Sequence, residues 1–372
     1  MNSLNQAGAS VQFDFGASGY AAQSSRGLEQ SKTLRVSGRR RAARSVLDCG
    51  STLPLLKLAL PFFTRLAAAV FFGLLPATDF AQTTNQAAAS ATNAPGRARR
   101  PENVPANPKL PSLFLIGDST VRNGQGNGGG GQWGWGDFLA PFFDTNRINV
   151  VNRALGGTSS RTFYRDQWPR VLAMLKTGDF VIMQFGHNDG SAVNDASRAR
   201  GTIKGVGDES QEITNLITKK FEIVHSFGWY EKTLIAEARV KGATPMVCSL
   251  IPRNSWKNGS AARNKNDYAG WAGQAAETEK APFLDINEII ARQYDLLDQE
   301  KVKPLFTAGA GPHTSMAGAE TNATCVVAAL KGLKENPLAK FFLEKANTVA
   351  PADLSQPAPK PTIPEVDKTE PE

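Results

Sequence analysis

Five short apolar runs punctuate the chain, near residues 113 to 117, 148 to 152, 180 to 185, 245 to 250 and 282 to 285. Each is too short for a helix and lacks the polar–apolar alternation of a strand with one wet face, so the pattern predicts strands buried on both sides. Between and after them the spacing fits helices over 135 to 143, 166 to 176, 229 to 241, 269 to 280, 286 to 298 and 316 to 333. Alternation of this kind argues for a parallel sheet covered on both faces, with right-handed crossovers. Gly190 to Phe227 interrupts the rhythm as a long insertion that would overhang one edge of the sheet.

The ends of the predicted strands carry the chemistry. Leu113 to Ile116 delivers Gly117-Asp118-Ser119-Thr120, which places a serine at the carboxyl end of a buried strand, where open parallel sheets bind their ligands. A second run ends in Gly186-His187-Asn188-Asp189, and between the two Val150-Val151-Asn152 leads into Gly156-Gly157-Thr158. Further on, Gly311-Pro312-His313 hands a histidine to the start of a helix. Acyl transfer calls for this set. A serine hydroxyl is a weak nucleophile until a base takes its proton, and His313 is the best placed of the three histidines. The tetrahedral intermediate carries an oxyanion, for which the Ser119 N–H, the Gly157 N–H and the Asn188 side-chain amide are candidate donors. Each residue taken singly has a structural alternative: Ser119 as a cap, Asp118 as a turn residue, His187 as packing beneath the site, Asp189 as a brace for its own loop. His225, in the insertion, is expected to have no role in function.

Taken in order, Gly117-Asp118-Ser119, Gly157, Gly186-x-Asn188-Asp189 and His313 resemble the four blocks of the SGNH (GDSL-type) hydrolase superfamily. Three further phrases, Phe227-Gly228-Trp229-Tyr230, Val247-Cys248-Ser249-Leu250-Ile251-Pro252-Arg253-Asn254 and His313-Thr314-Ser315-x-Ala317-Gly318-Ala319, are similar to bacterial rhamnogalacturonan acetylesterases. The resemblance runs from about residue 113 to residue 333. It implies an α/β fold, a three-layer α/β/α sandwich with a five-stranded parallel sheet of flavodoxin-like outline. It also implies a carboxylic ester hydrolase that removes acetyl groups from a pectic polysaccharide with no metal and no cofactor.

One position departs from the pattern. The superfamily has an aspartate three residues before the histidine, and here that residue is Ala310, with no carboxylate between Glu300 and Glu320. A backbone carbonyl or a distant carboxylate such as Asp285 is the expected substitute acceptor for the His313 Nδ1–H. The alternatives are a weakened enzyme and a carbohydrate-binding homologue that has lost catalysis. A broad-specificity GDSL esterase or lipase is a further enzymatic reading.

Two loops are expected to shape the substrate site: the Gly-rich run from Asn123 to Gly131, read as an open rim, and the insertion. No Gly-Lys-Ser/Thr follows the glycines, which excludes a phosphate cradle. For an acidic polymer, Arg122, Arg161, Arg253 and Arg263 are candidate carboxylate partners, and Trp133, Trp135 and Trp256 candidate sugar platforms. Asp118, His187, Trp133, Arg161 and Arg253 form the expected substrate-contacting set.

Composition bounds this reading rather than making it. A chain of 372 residues with 41% hydrophobic content sustains one sizeable core. Its net charge of +8 is uneven: residues 1 to 81 hold nine Lys/Arg against four Asp/Glu, leaving +3 for the rest, too little to argue a nucleic-acid partner. The chain divides into a leader (1–81), a linker (82–110), one domain (111–345) and a Pro-rich tail (346–372), with linker and tail expected to be disordered. In the leader, Arg39-Arg40-Arg41, Arg44 and Lys57 precede apolar stretches at 58 to 63 and 66 to 75 with small residues near Ala77 and Ala81, the pattern of a secretory signal peptide. Pro61 and Arg65 interrupt it too early for a membrane span. The expectation is a secreted or periplasmic monomer acting on an acetylated acidic polysaccharide, with no stable membrane insertion after leader removal. Cys49 leaves with the leader, and Cys248 and Cys325 are expected as buried free thiols.

Overall fold

A computed structural model describes residues 103–307 and 311–359. The leader with its signal-peptide pattern, Cys49, most of the linker, Ala310 and residues 360–372 lie outside the described residues. The elements begin with β1 (Ser112–Gly117), β2 (Asn149–Asn152), α1 (Ser160–Asp166), α2 (Trp168–Met174) and β3 (Phe180–Gln184). The insertion holds β4 (Ser210–Thr214) and β5 (Phe221–His225), followed by α3 (Phe227–Val240) and β6 (Thr244–Cys248). A short pair, β7 (Trp256–Lys257) and β8 (Ser260–Ala261), precedes α4 (Tyr268–Thr278) and β9 (Phe283–Leu284). The remainder is helical: α5 (Ile286–Leu297), α6 (Gln299–Val302), α7 (Met316–Gly332) and α8 (Glu344–Asn347).

The central sheet has the order β2-β1-β3-β6-β9, and every pair in it is parallel. Side chains alternate across it. Leu113, Leu115, Ile182, Met246 and Leu284 pack on one face with Ile290, Tyr294, Val326 and Leu330 of α5 and α7. Phe114, Ile116, Val181, Met183 and Val247 pack on the other with Phe163, Trp168, Leu234 and Ala272 of α1 to α4. Both faces are therefore dry, which is why the strands read as unbroken apolar runs. The result is the expected α/β/α sandwich with five parallel strands. Chain order reverses between β1 and β3, so the ligand crevice of such a sheet falls outside the carboxyl ends of those two strands.

Helix starts follow from capping. Ser159, Ser226, Asp267, Asp285 and Ser315 each accept a backbone N–H from the first turn of α1, α3, α4, α5 and α7, donors that would otherwise be unpaired. Where the structure differs from the sequence pattern, proline or an edge is responsible. The helix expected over 135 to 143 is two short 3₁₀ turns, Trp135–Phe138 and Ala140–Phe142, because Pro141 removes a donor. The helix expected over 166 to 176 is split between α1 and α2 at Gln167, with Pro169 in the first turn of α2. The insertion is not a bare loop: β4 and β5 pair antiparallel within it.

Both flanking segments are bound further than composition suggests. Asn107 exchanges bonds with the Asn149 side chain and Asn103 donates to Asn152 O, so residues 103 to 110 lie along the open edge at β2. Beyond residue 346, Ala352 N–H donates to Ala328 O and the Arg292 guanidinium to Gln356 O. Proline there rules out regular elements without detaching the chain.

Candidate active site

Ser119 and His313 stand 194 positions apart and meet at the carboxyl end of β1, with Ser119 Oγ 3.0 Å from His313 Nε2. The serine follows β1 directly in a turn closed by Val121 and Arg122 N–H donating to Asp118 O. The histidine is fixed through its neighbours. Trp133 N–H donates to Thr314 O at 3.0 Å and Thr314 Oγ1 to Trp133 O at 2.9 Å. Thr307 N–H donates to His313 O, and Ser315 both caps α7 and donates to Leu305 O. His313 is held below its ordinary pKa by burial and then by the Arg253 charge, which keeps its Nε2 free to accept the Ser119 proton.

The second wall is the turn after β2. Thr158 N–H donates to Leu155 O, and Gly157 has φ of +85° while Gly156 lies outside the left-handed region, the combination of a type II turn, which favours glycine at its third position. A Cβ at Gly156 would sit 3.5 Å from the Ser119 Cβ, so the turn lies directly against Ser119. Among the described residues neither the Ser119 nor the Gly157 N–H is donated to another group. Asn188, after β3, is buried and donates one Nδ2 hydrogen to Thr158 O at 2.7 Å. The Gly157 turn thus lies against Ser119, and Asn188 is bonded to that same turn.

Beneath these groups lies a layer of buried carboxyls. Asp189 accepts from the Ser160 N–H and hydroxyl and from the Gly186 N–H, tying the start of α1 to its own loop, and burial pushes it up to about 7. Asp118 is wholly enclosed: its Oδ1 accepts from the Thr120 N–H and hydroxyl, and burial pushes it up to about 6 against those bonds and the charges of Arg253 and Arg200. Asp118 is a bracing residue here, not a substrate contact. Gln184 connects the same layer to the core, donating to Thr120 Oγ1 and accepting from Trp135 Nε1 at 2.8 Å. The His187 ring nitrogens are enclosed without partners, and burial lowers this histidine to about 3.

Several expected contacts are engaged elsewhere. Arg161 is 1% exposed and spends its guanidinium on Glu222, Val193 O and Gly201 O, clamping the insertion instead of meeting substrate. Arg263 pairs with Asp295 and Glu288. Trp135 is fully buried. Asp285 accepts from Ser249 Oγ and caps α5, and among the described residues no carboxylate pairs with His313. His225 stacks on Trp229 at 3.8 Å. The Gly-rich run is largely exposed, as an open rim would be, and touches Trp133 at one point: a Cβ at Gly128 would come within 2.5 Å of that indole. Arg253 is exposed beyond β6 and Trp133 half-buried, as substrate contacts require. Cys248 and Cys325 are buried free thiols. Among the described residues no cluster of three or more His, Cys, Asp or Glu could hold a metal ion. Also among them, no helix is long and apolar enough to cross a membrane.

Residues 113–326 match the family described as GDSL-like Lipase/Acylhydrolase. The chain belongs to this family. As a GDSL-like hydrolase it is a carboxylic ester hydrolase, and its similarity to named acetylesterases agrees. It is 28% identical over 220 residues, 59% of this chain and 84% of the relative, to a rhamnogalacturonan acetylesterase of Emericella nidulans. It is 30% identical over 229 residues, 60% of this chain and 92% of the relative, to a probable rhamnogalacturonan acetylesterase, YesY, of Bacillus subtilis. The crystal structure of YxiM from Bacillus subtilis aligns with a TM-score of 0.48 and 24% identity over 60% of this chain and 56% of that one.

Sequence reasoning missed one residue of this GDSL-like site. Arg200, in the insertion, donates Nη1 to Gly157 O at 2.7 Å. Nothing in local periodicity marks it, because it sits in a loop with no regular pattern.

Proposed function

We propose that this hydrolase is an exported serine esterase that removes O-acetyl groups from an acidic, pectic polysaccharide. The observation that carries the reading is the 3.0 Å contact between Ser119 Oγ and His313 Nε2. His313 takes the hydroxyl proton as Ser119 attacks the acetyl carbonyl, and the oxyanion is received by the Ser119 and Gly157 N–H groups and the Asn188 amide. Collapse expels the sugar alkoxide, which takes the proton from His313 and leaves acetyl-Ser119. Water, deprotonated by the same histidine, then releases acetate and restores the serine. The acetylesterase names of the relatives and the exposed Arg253 beside the site support an acetylated, anionic sugar. Acetate release from acetylated pectin tests this: the wild-type chain is expected to release it and Ser119→Ala to lose at least about 10³-fold in rate. Preference for long-chain acyl esters, or a Ser119→Ala variant that keeps its activity, would overturn the reading.

A further inference from the structure

The insertion delivers a cation to the back of the oxyanion turn. Leu155 to Thr158 closes on itself through Thr158, whose N–H donates to Leu155 O at 3.3 Å and whose hydroxyl donates to the same oxygen at 2.8 Å, and these bonds leave the Gly157 N–H unspent. Two outside groups fix the exit of the turn. Asn188 Nδ2 donates to Thr158 O, and Arg200 Nη1 donates to Gly157 O, each at 2.7 Å. The ends of the turn are also tied to β1, where Leu155 N–H and the Thr158 hydroxyl donate to Gly117 O. Glycines at both central positions give the middle little stiffness of its own, and the Arg200 bond is the anchor on Gly157 itself.

Arg200 is itself held tightly. Its Nε donates to Ser191 Oγ at 3.1 Å, and Gly201 N–H donates to Ala192 O at 2.9 Å, closing the loop from 191 to 201 at its base. The buried Arg161 guanidinium locks that base by donating to Val193 O and Gly201 O. Inside the loop, Asp195 accepts from the N–H groups of Ser197, Arg198 and Ala199. Ala199, immediately before Arg200, is 1% exposed and has φ of +42°. That conformation is unfavourable for a non-glycine residue, and such backbone persists where surrounding contacts impose it, often at functional sites.

We propose that Arg200 is the positioning residue of the oxyanion turn: carried by the insertion, its guanidinium fixes the Gly157 carbonyl and so sets the distance from the Gly157 N–H to an ester carbonyl at Ser119. This rests on the reading of Ser119 as nucleophile. The bond is charge-assisted. It also sets a positive charge against the turn where negative charge develops. Oxyanion donors act within a few tenths of an ångström of their ideal distance, and a misplacement of about 1 Å costs on the order of a hundredfold.

The test uses 4-nitrophenyl acetate, so that it does not depend on the polymer. Arg200→Ala is expected to lower kcat by roughly tenfold to a hundredfold while KM moves by less than about threefold, the signature of an interaction made in the transition state. Arg200→Lys, which keeps a cation and a donor, recovers part of the loss, as does millimolar guanidinium ion added to Arg200→Ala but not to wild type. A kcat within about twofold of wild type in Arg200→Ala overturns the assignment. So does a loss with no recovery by lysine or guanidinium, which marks Arg200 as a packing residue. If limited proteolysis shows that alanine loosens the insertion, Arg200→Lys decides: the assignment stands if its kcat exceeds that of alanine with KM unchanged, and falls otherwise. Activity remaining in Ser119→Ala would bring down the reading of the site, whereas a dead Ser119→Ala beside an intact Arg200→Ala would bring down this inference alone.

Discussion

Replacing Asn188 by alanine removes one amide that serves two purposes, and the two losses appear in different experiments. In the resting protein one Nδ2 hydrogen is donated to Thr158 O at 2.7 Å in a buried setting. Leaving that carbonyl unpaired costs about 1–3 kcal/mol, which for a domain of this size lowers the thermal midpoint by about 2–4 °C per kcal/mol. A domain with an ordinary stability of roughly 5–15 kcal/mol stays folded at 25 °C under that loss. On the proposed mechanism the second Nδ2 hydrogen is donated to the oxyanion, and losing such a donor costs about 10²–10³ in kcat, or about 2.7–4 kcal/mol. KM should hardly move, since the ester oxygen carries full charge only in the tetrahedral state. Asn188→Asp keeps the volume but can donate to neither Thr158 O nor the oxyanion, so it is expected to fall at least as far. Acetate release under saturating substrate, with calorimetry on the same samples, separates the two costs. A lowered midpoint with kcat within about tenfold of wild type would refute the reasoning and leave Asn188 as a brace for the turn.

Arg253→Gln should move the acid limb of the kcat/KM profile to higher pH. His313 works as a base only when neutral, and burial first, then the Arg253 charge, hold its pKa below the ordinary value; removing the charge lets the pKa rise, so more alkaline solution is needed to deprotonate it. A limb that stays in place or moves down would exclude electrostatic contact between the two. Arg161→Met should destabilise the domain by about 3–5 kcal/mol, the cost of breaking a buried ion pair, and expose the insertion to protease ahead of the sheet. Resistance of the segment from 190 to 227 in that variant would show that the clamp on Glu222, Val193 and Gly201 is dispensable.

How much of this was legible depended on whether a residue's role is local. The five strands were readable because both faces of each are dry, so Leu113 to Ile116 and Phe180 to Met183 run apolar without a break. The meeting of Ser119 and His313 was readable because Ser119 follows a strand end at the edge where a parallel sheet places its ligands, and His313 stands in the loop that opens a helix. Arg161 and Arg200 were not. Both spend part of their guanidinium on backbone carbonyls, which any residue supplies, and the Glu222 carboxylate that pairs with Arg161 lies 61 positions away with no pattern linking the two. Arg161 looked like a rim cation, and only its 1% exposure shows that the insertion closes over it. The 3₁₀ turns at Trp135 and Ala140 differ because the apolar spacing there is helical while Pro141 removes a donor that a longer helix would need.

The electrostatics of the site follow from placing two arginines at a rim above buried acids. Arg253 lowers the pKa of both Asp118 and His313, so a single charge favours the ionised acid beneath the nucleophile and the neutral imidazole beside it. A neutral imidazole is the form a general base needs in the resting state. The same charge opposes the imidazolium that forms as Ser119 gives up its proton, and among the described residues no carboxylate offsets that opposition. His313 is thereby available to accept a proton in more acidic solution than an unperturbed histidine, and among the described residues no carboxylate is paired with it. On the proposed mechanism this places added weight on the oxyanion side of the cleft, where Asn188 and Arg200 hold Thr158 O and Gly157 O.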